Sequence, residues 1–325
     1  MIKSVHSRYD FSDQTVLHSW FAPSYLALTT PVFELSKEEY GCVLNGDKLV
    51  TWAKGDKESK LERLAKEHAV DLGSKAISVV KDAAGEAFLV FDNGDVQSAR
   101  AVQRGRIQDV DTAKGRKALQ RFEDAKIVKS SFVKGKGGST IPHIAHAFSP
   151  SSDPRVVSAA LFKLHDSELE PASDLSDKKV GCHLTRVGET LVGKNVECFD
   201  FHGDSLVIVD SDLQLKIKSL HDGGETTLDT LSNYEENCSK SICVKTVDKD
   251  FVAVFGPKKK TTDADKSLLL SIYNTNFLTL VHSTDVSISS PIDGKLSMVT
   301  FGQKLIFQFG SKVGTLNCGG LPRSE

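Results

Sequence analysis

The stretch LSMVTFGQKLIFQFGSKVGTLNC, at residues 296–318, decides the fold class of this chain. It contains three apolar runs, LSMVTF, LIFQF and VGTLNC, each about as long as an ordinary β-strand. The short polar turns Gly302-Gln303-Lys304 and Gly310-Ser311-Lys312 separate them. Short strands joined by frequent tight turns are typical of an antiparallel meander, so this stretch predicts three strands of one sheet.

The same pattern recurs along the chain as hairpins, in which two apolar or alternating runs flank a turn rich in Asn, Asp and Gly. The paired runs are Tyr40–Leu44 with Leu49–Ala53, Ala87–Phe91 with Val96–Val102, Ser205–Val209 with Leu213–Leu220, and Phe251–Phe255 with Ser267–Tyr273. After the last of these, Asn274-Thr275-Asn276 predicts a turn into a further strand, Phe277–Val281. The first hairpin turns at Asn45-Gly46, a step that tolerates the positive φ of a primed turn.

The spacing of these hairpins, roughly 45 to 60 residues, suits propeller blades that carry loop insertions. We expect an all-β fold: a divergent WD40-like β-propeller over residues 1–325, with roughly six or seven blades. It is divergent because the repeats lack the Gly-His and Trp-Asp dipeptides of regular WD repeats. Stacked β-sandwiches are the alternative fold. The structure of residues 57–70 stays open, because their helix-forming composition also fits an exposed outer strand.

The charges of the chain nearly cancel, with 41 Lys and Arg against 43 Asp and Glu. There is no overall positive field to hold a nucleic-acid backbone, so any such contact must be local. The N-terminal sequence MIKSVHSRYDFSD has charges where a signal peptide needs an apolar run, and no apolar stretch approaches the length of a membrane span. We expect a soluble intracellular protein with no membrane partner.

Patterns of metal-binding and catalytic residues are absent from the sequence. The six cysteines include no C-x-x-C pair, which predicts reduced thiols. The segment GKGGST at residues 135–140 has its lysine before the last two glycines, unlike a phosphate-binding loop. Two pairs of candidate metal ligands lie an odd number of positions apart, His143 with His146 and Cys182 with His183. Residues so spaced have their side chains on opposite faces of a strand. We expect no enzyme activity, no cofactor, no metal and no small-molecule substrate.

The strongest local basic cluster is Lys258, Lys259 and Lys260, in the loop between two predicted strands. These lysines would suit contact with phosphate or a nuclear-import signal. The alternative is a solvated hairpin tip that protects the sheet from edge pairing. The sequence leaves both interpretations open.

The order of strands and turns resembles the N-terminal propeller of the nucleolar protein eleven family, subunits of the small-subunit processome. The resemblance is strongest over Val247–Gly319, which contains VDKDFVAVFGPKK, SLLLSIYNTNFLTL, GKLSMVTFGQKLIFQF and KVGTLNC. A second matching stretch comprises Ser12–Trp20, Tyr40–Lys54 and Ser78–Val102. Compared with that family, the chain begins within the first blade, which we therefore expect to be truncated, and it lacks the C-terminal helical region.

The resemblance implies a non-catalytic scaffold in the nucleus and nucleolus that supports ribosomal RNA transcription and pre-18S ribosomal RNA processing. It implies other propeller subunits of the processome as partners, and precursor ribosomal RNA as a further candidate partner. It supplies no catalytic residues. The alternative is a propeller scaffold or adaptor of another intracellular complex, such as a coat, a ciliary-transport complex or a ubiquitin ligase.

Overall fold

The computed structural model describes residues 2–3, 29–30, 32–54, 69–104, 125–133, 135, 141–168, 180–235, 241–259, 267–287, 296–301, 303–309 and 312–321. The chain divides into two compact units. The N-terminal unit comprises Asp10–Ser152 with Ala159–Glu189. The C-terminal unit comprises Met1–Tyr9, Asp153–Ser158 and Thr190–Glu325.

The N-terminal unit holds two sheets and most of a third. Its strands are β2 (Phe33–Glu34), β3 (Glu39–Leu44), β4 (Lys48–Ala53), β5 (Ala69–Asp71), β6 (Ala76–Lys81), β7 (Ala87–Phe91), β8 (Val96–Ser98), β9 (Ala125–Val133), β10 (His143–Pro150), β11 (Val157–Glu168) and β12 (Val180–Gly193). Blade 1 has the strand order β2-β3-β4-β5, blade 2 β6-β7-β8, and blade 3 β9-β10-β11-β12. Strands β11 and β12 run across the boundary between the two units.

The C-terminal unit holds three further sheets. Its strands are β1 (Ile2–Lys3), β13 (Val196–His202), β14 (Ser205–Asp210), β15 (Gln214–Ser219), β16 (Glu225–Thr230), β17 (Cys243–Thr246), β18 (Phe251–Pro257), β19 (Ser267–Asn274), β20 (Thr279–Ser287), β21 (Ser297–Phe301), β22 (Lys304–Phe309) and β23 (Lys312–Asn317). Blade 4 has the order β13-β14-β15-β16, blade 5 β17-β18-β19-β20, and blade 6 β21-β22-β23-β1.

Each blade is a meander in which strands that follow one another in sequence lie side by side. The exception is β1, which pairs antiparallel with β23 and brings Ile2 opposite Leu316. Six meanders of three or four strands form a β-propeller, so the predicted fold class is confirmed, with six blades. The extent of the propeller over residues 1–325 and the truncated first blade stay predictions.

Two local expectations have clear outcomes. The turn between β3 and β4 places Asn45 at φ 54° and Gly46 at φ 82°, as a primed turn requires. The strand expected over Val96–Val102 was wrong beyond Ser98, because helix α1 (Ala99–Gln103) follows β8. The Ser98 side chain accepts a hydrogen bond from the backbone N–H of Ala101 and caps this helix. Residues 57–68 and Ser12–Trp20 lie outside the described residues, whereas Ala69 and Val70 belong to β5.

In the C-terminal unit, neighbouring blades pack face to face through the two sides of β18. Phe251, Ala253 and Phe255 belong to a cluster that includes Phe307 of blade 6. The rings of Phe255 and Phe307 lie 5.1 Å apart between centroids. The alternate residues of β18, at positions 252 and 254, instead pack with apolar side chains of blade 4. Burial on both faces explains why this strand is a continuous apolar run.

Strand β7 has the same role in the N-terminal unit. Ala87, Leu89 and Phe91 pack with blade 1. Phe88 and Val90 pack with blade 3. The runs AFLVF and FVAVF therefore have the same role, because each forms a strand that is buried between two neighbouring blades.

Gly314 of β23 lies directly opposite Phe307 of β22. A Cβ atom at residue 314 would approach two carbon atoms of that ring to 2.3 Å. Phe307 is fully buried, so its ring has little room to move. The absence of a side chain at this position therefore lets the aromatic ring cover the neighbouring strand.

We expect Gly314→Ala to destabilise the protein by about 1–3 kcal/mol, because the added methyl group forces Phe307 out of its position. The matched control is Gly188→Ala on β12, since a Cβ there meets no atom within 4 Å. Its effect should lie within about 0.5 kcal/mol of zero. Urea denaturation measures both changes, and equal effects of the two substitutions would contradict this account of Gly314.

Candidate functional site

An exposed apolar turn stands out in blade 5, between β19 and β20. We call residues 274–280, which comprise the turn and the adjoining ends of both strands, the apolar turn. Phe277 is 60% exposed, Leu278 44% and Leu280 46%. Large apolar side chains that are exposed together at one place are typical of interaction surfaces, whereas single exposed ones need no explanation. This turn is therefore the candidate functional site.

Hydrogen bonds hold the backbone of the apolar turn in one conformation. The side-chain oxygen of Asn274 accepts from the backbone N–H groups of Asn276 at 2.9 Å and Phe277 at 3.0 Å. The side-chain amide of Asn276 donates to the Asp250 carboxylate at 2.8 Å. The backbone N–H of Thr275 donates to the Asp250 carbonyl at 2.9 Å. The turn between β17 and β18 thus supports the apolar turn from beside it.

Leu278 adopts a φ of 53°, in the left-handed region that few side chains other than those of Asn and Asp enter readily. A non-glycine residue in this region costs on the order of 1 kcal/mol, which the surrounding structure must offset. Here the hydrogen bonds of Asn274 and Asp250 hold the three residues immediately before Leu278. Leu278 and its neighbour Phe277 are consequently presented to solvent on a rigid support.

A buried contact between blades 4 and 5 extends this support. The Thr275 hydroxyl donates to the Asp250 carbonyl at 3.1 Å and lies 3.0 Å from Nε2 of His202. Because the single hydroxyl proton goes to Asp250, Nε2 of His202 carries the proton and donates to the Thr275 oxygen. The neutral imidazole is therefore held as one tautomer.

Burial lowers the pKa of His202, although the carboxylates of Asp200, Asp248, Asp250 and Asp204 act in the opposite direction. Asp204 follows β13 two residues after His202, and Asp248 and Asp250 belong to the turn between β17 and β18. The pKa is lowered overall, so His202 is neutral at pH 7 and does not balance their charge.

The charge beside the apolar turn is negative. Asp200 is neutralised, because its carboxylate accepts from Lys245 at 3.0 Å and from the backbone N–H of Thr246 at 2.8 Å. Of the four charged residues in segments 203–204 and 248–250, Asp250 is buried and its carboxylate accepts from Asn276, whereas Asp204 and Lys249 are exposed and Asp248 is half-buried. The charges of these segments that reach the surface beside the apolar turn are therefore those of Asp204, Asp248 and Lys249, a net charge of −1.

The apolar run Phe277–Val281 predicts a strand, and this prediction was wrong for Phe277 and Leu278. β19 continues to Asn274, the turn occupies residues 275–278, and β20 begins at Thr279. The spacing of Asn274 before Phe277 was the available signal, since an Asn side chain can accept from backbone N–H groups two and three residues on. The exposure of both side chains could be read only from the structure.

The predicted basic cluster is partly described. Lys258 donates to the Asp285 carboxylate at 2.5 Å, in an exposed ion pair, and its backbone pairs with Ser267. The backbone N–H of Lys259 donates to the Asn233 carbonyl. Lys260 lies outside the described residues. A role of the three lysines in phosphate contact or nuclear import stays a prediction.

The two histidines of β10 are built into the sheet. His143 is buried, and its Nδ1 lies 2.8 Å from the Ile141 carbonyl. His146 is fully buried, its Nδ1 lies 2.7 Å from the Ser130 hydroxyl, and its ring packs on Phe162. Their odd offset on one strand puts them on opposite faces. They do not converge on one point as metal ligands must.

Other candidate sites have the following outcomes. Among the described residues, no cluster of His, Cys, Asp or Glu is arranged to hold a metal ion. The described cysteines, Cys42, Cys198, Cys243 and Cys318, are free thiols. Burial raises the pKa of Cys42 to about 12, so this thiol is unreactive. No helix in the described ranges has the length and apolar character needed to cross a membrane.

We expect Thr275→Val to cost about 1–3 kcal/mol in unfolding free energy, because it leaves the buried Nε2–H of His202 without an acceptor. Thr275→Ser is the matched control, since it keeps the hydroxyl group and should cost less. Chemical denaturation of both variants provides the measurement. An equal loss in both would show that the methyl group, and not the hydrogen bond, stabilises this contact.

The stability of the protein should fall as the pH drops from about 6.5 to about 4. Burial lowers the pKa of His146 to about 4 from an ordinary value of 6.5, so the unfolded state takes up a proton first. The resulting loss is on the order of 3 kcal/mol at pH 4. Denaturation curves across this range should show a smaller loss for His146→Asn. If the unfolding free energy of the variant falls with pH as steeply as that of the wild type, His146 is not the cause of the loss.

No protein-family model and no curated protein matches the chain. It is similar to a solved structure of YCF48 bound to the D1 peptide, with 9% identity over 94% of this chain and 81% of that chain and a TM-score of 0.45. The N-terminal domain of Nup159 shows 12% identity over 89% and 73% of the two chains and a TM-score of 0.41. The Dos1 propeller shows 9% identity over 88% and 82%, with a TM-score of 0.43.

Proposed function

We propose that this protein is a non-catalytic scaffold that holds other proteins, and that it acts in ribosome biogenesis. The observation that carries the first part is the apolar turn of blade 5, which presents Phe277, Leu278 and Leu280 to solvent from a rigid propeller blade. A propeller fold with an exposed apolar surface suits protein interaction. Burial lowers the pKa of His146 and of His202, and both side chains have buried structural contacts.

The sequence resemblance to the nucleolar protein eleven family supports the second part. Its strongest segment, Val247–Gly319, spans most of blade 5 and the three C-terminal strands of blade 6. On this basis the protein acts in the nucleolus, in ribosomal RNA transcription and pre-18S processing. Its partners are propeller subunits of the small-subunit processome, with precursor ribosomal RNA in the same assembly.

A tagged form of the chain tests this function in cells. We expect it to concentrate in the nucleolus, and purification from nuclei to recover processome propeller subunits together with precursor ribosomal RNA. A tagged soluble protein of similar size serves as the control. Exclusion from the nucleolus, with recovery of coat, ciliary-transport or ubiquitin-ligase subunits, would replace the nucleolar function by the adaptor alternative. Recovery of no protein partner would count against a scaffold of either kind.

A further inference from the structure

We infer that the apolar turn binds an extended peptide segment of a partner protein, one that places an aliphatic or aromatic residue beside Lys or Arg. This inference rests on the scaffold part of the proposed function and is independent of its nucleolar part. It follows from three features of the turn: its exposed apolar side chains, its rigid backbone and the sign of the charge next to it.

The apolar side chains supply the energy of binding. Phe277, Leu278 and Leu280 lie within four residues of one another and are each more than two-fifths exposed. A partner side chain that covers them removes apolar surface from water on both molecules. In protein interfaces, a few such side chains at one place carry most of the binding energy.

The rigidity of the turn lowers the cost of binding. Asn274 fixes the backbone of the two residues before Leu278, and Asp250 holds Thr275 and Asn276. A surface that is already ordered loses less conformational entropy when a partner docks. The left-handed conformation of Leu278 is a second indication, because backbone strain concentrates where a surface has a function.

The charge next to the turn selects the partner. In segments 203–204 and 248–250 the charges that reach the surface are those of Asp204, Asp248 and Lys249, a net charge of −1 as derived above. Basic residues that flank the apolar residue of a peptide would be attracted to this surface, and acidic ones repelled. The same charge repels a phosphate backbone, so the geometry favours a peptide over RNA at this turn.

Selection from a phage-displayed library of random peptides, roughly 12 residues long, on the immobilised full chain tests the inference. We expect the enriched peptides to combine an apolar residue with Lys or Arg. The most enriched peptide is then synthesised with a fluorescent label, and its dissociation constant is measured by fluorescence anisotropy. The double variant Phe277→Ser with Leu280→Ser should bind it about tenfold more weakly or worse.

A matched control separates binding from folding. Val128 of β9 is apolar and 52% exposed, so Val128→Ser makes the same kind of change on a different blade and should leave the affinity within about twofold. Thermal unfolding of all variants shows whether they remain folded, which we expect because the replaced side chains are exposed.

A second variant tests the charge. Asp248→Asn with Asp204→Asn removes two negative charges and keeps the oxygen of residue 248 that accepts from the N–H groups of Asp250 and Phe251. It should weaken binding about threefold to tenfold and reduce the dependence of the affinity on salt.

Several outcomes would overturn the inference. These are a selection without enriched peptides, enrichment of acidic peptides, unchanged affinity of the Phe277 and Leu280 variant, or full displacement of the peptide by a short single-stranded RNA. The cellular purification distinguishes this failure from that of the proposed function. Peptide binding without recovery of processome subunits would support the docking site and remove the nucleolar function. If the variant Phe277→Ser with Leu280→Ser still recovers processome subunits, the nucleolar function would stand and the apolar turn would not be the docking site.

Discussion

The structure depends on strands that are buried on both faces. In each unit the central strand of one blade separates two apolar clusters, as β7 does between blades 1 and 3 and β18 between blades 4 and 6. Successive side chains of a strand point to opposite faces, so neither side of such a strand can be polar. This constraint produces the runs AFLVF and FVAVF.

Turns are therefore the places where this protein can differ from other propellers without loss of its core. Several of the described turns carry polar side chains that bond to their own backbone, as Asp210 and Asp248 do. The apolar turn follows this pattern through Asn274, but it differs in also exposing Phe277 and Leu278. Exposed apolar surface costs solubility, so its retention on a rigid turn is consistent with a partner that covers it.

Buried polar groups of the C-terminal unit link neighbouring blades. Asp200 of blade 4 bonds to Lys245 and Thr246 of blade 5, and His202 bonds to Thr275. Such groups need specific partners, because an unpaired polar atom in the core costs more than a missing apolar contact. They therefore specify which blades meet and in what register, in addition to the apolar packing.

The sequence by itself determined the fold class, most of the hairpins and the lack of convergence between His143 and His146, since these follow from the alternation of side chains along a strand. It failed locally at Ser98, where a side-chain cap starts a helix within an apparent strand, and at Phe277, where Asn274 bonds to the backbone. Only the tertiary structure decided which apolar side chains stay exposed and which acidic residues lie in the neighbouring turns. The physical reason is that the exposure of a side chain depends on neighbours that are distant in sequence, such as Asp250 beside Thr275. A local sequence pattern does not show which residues these neighbours are.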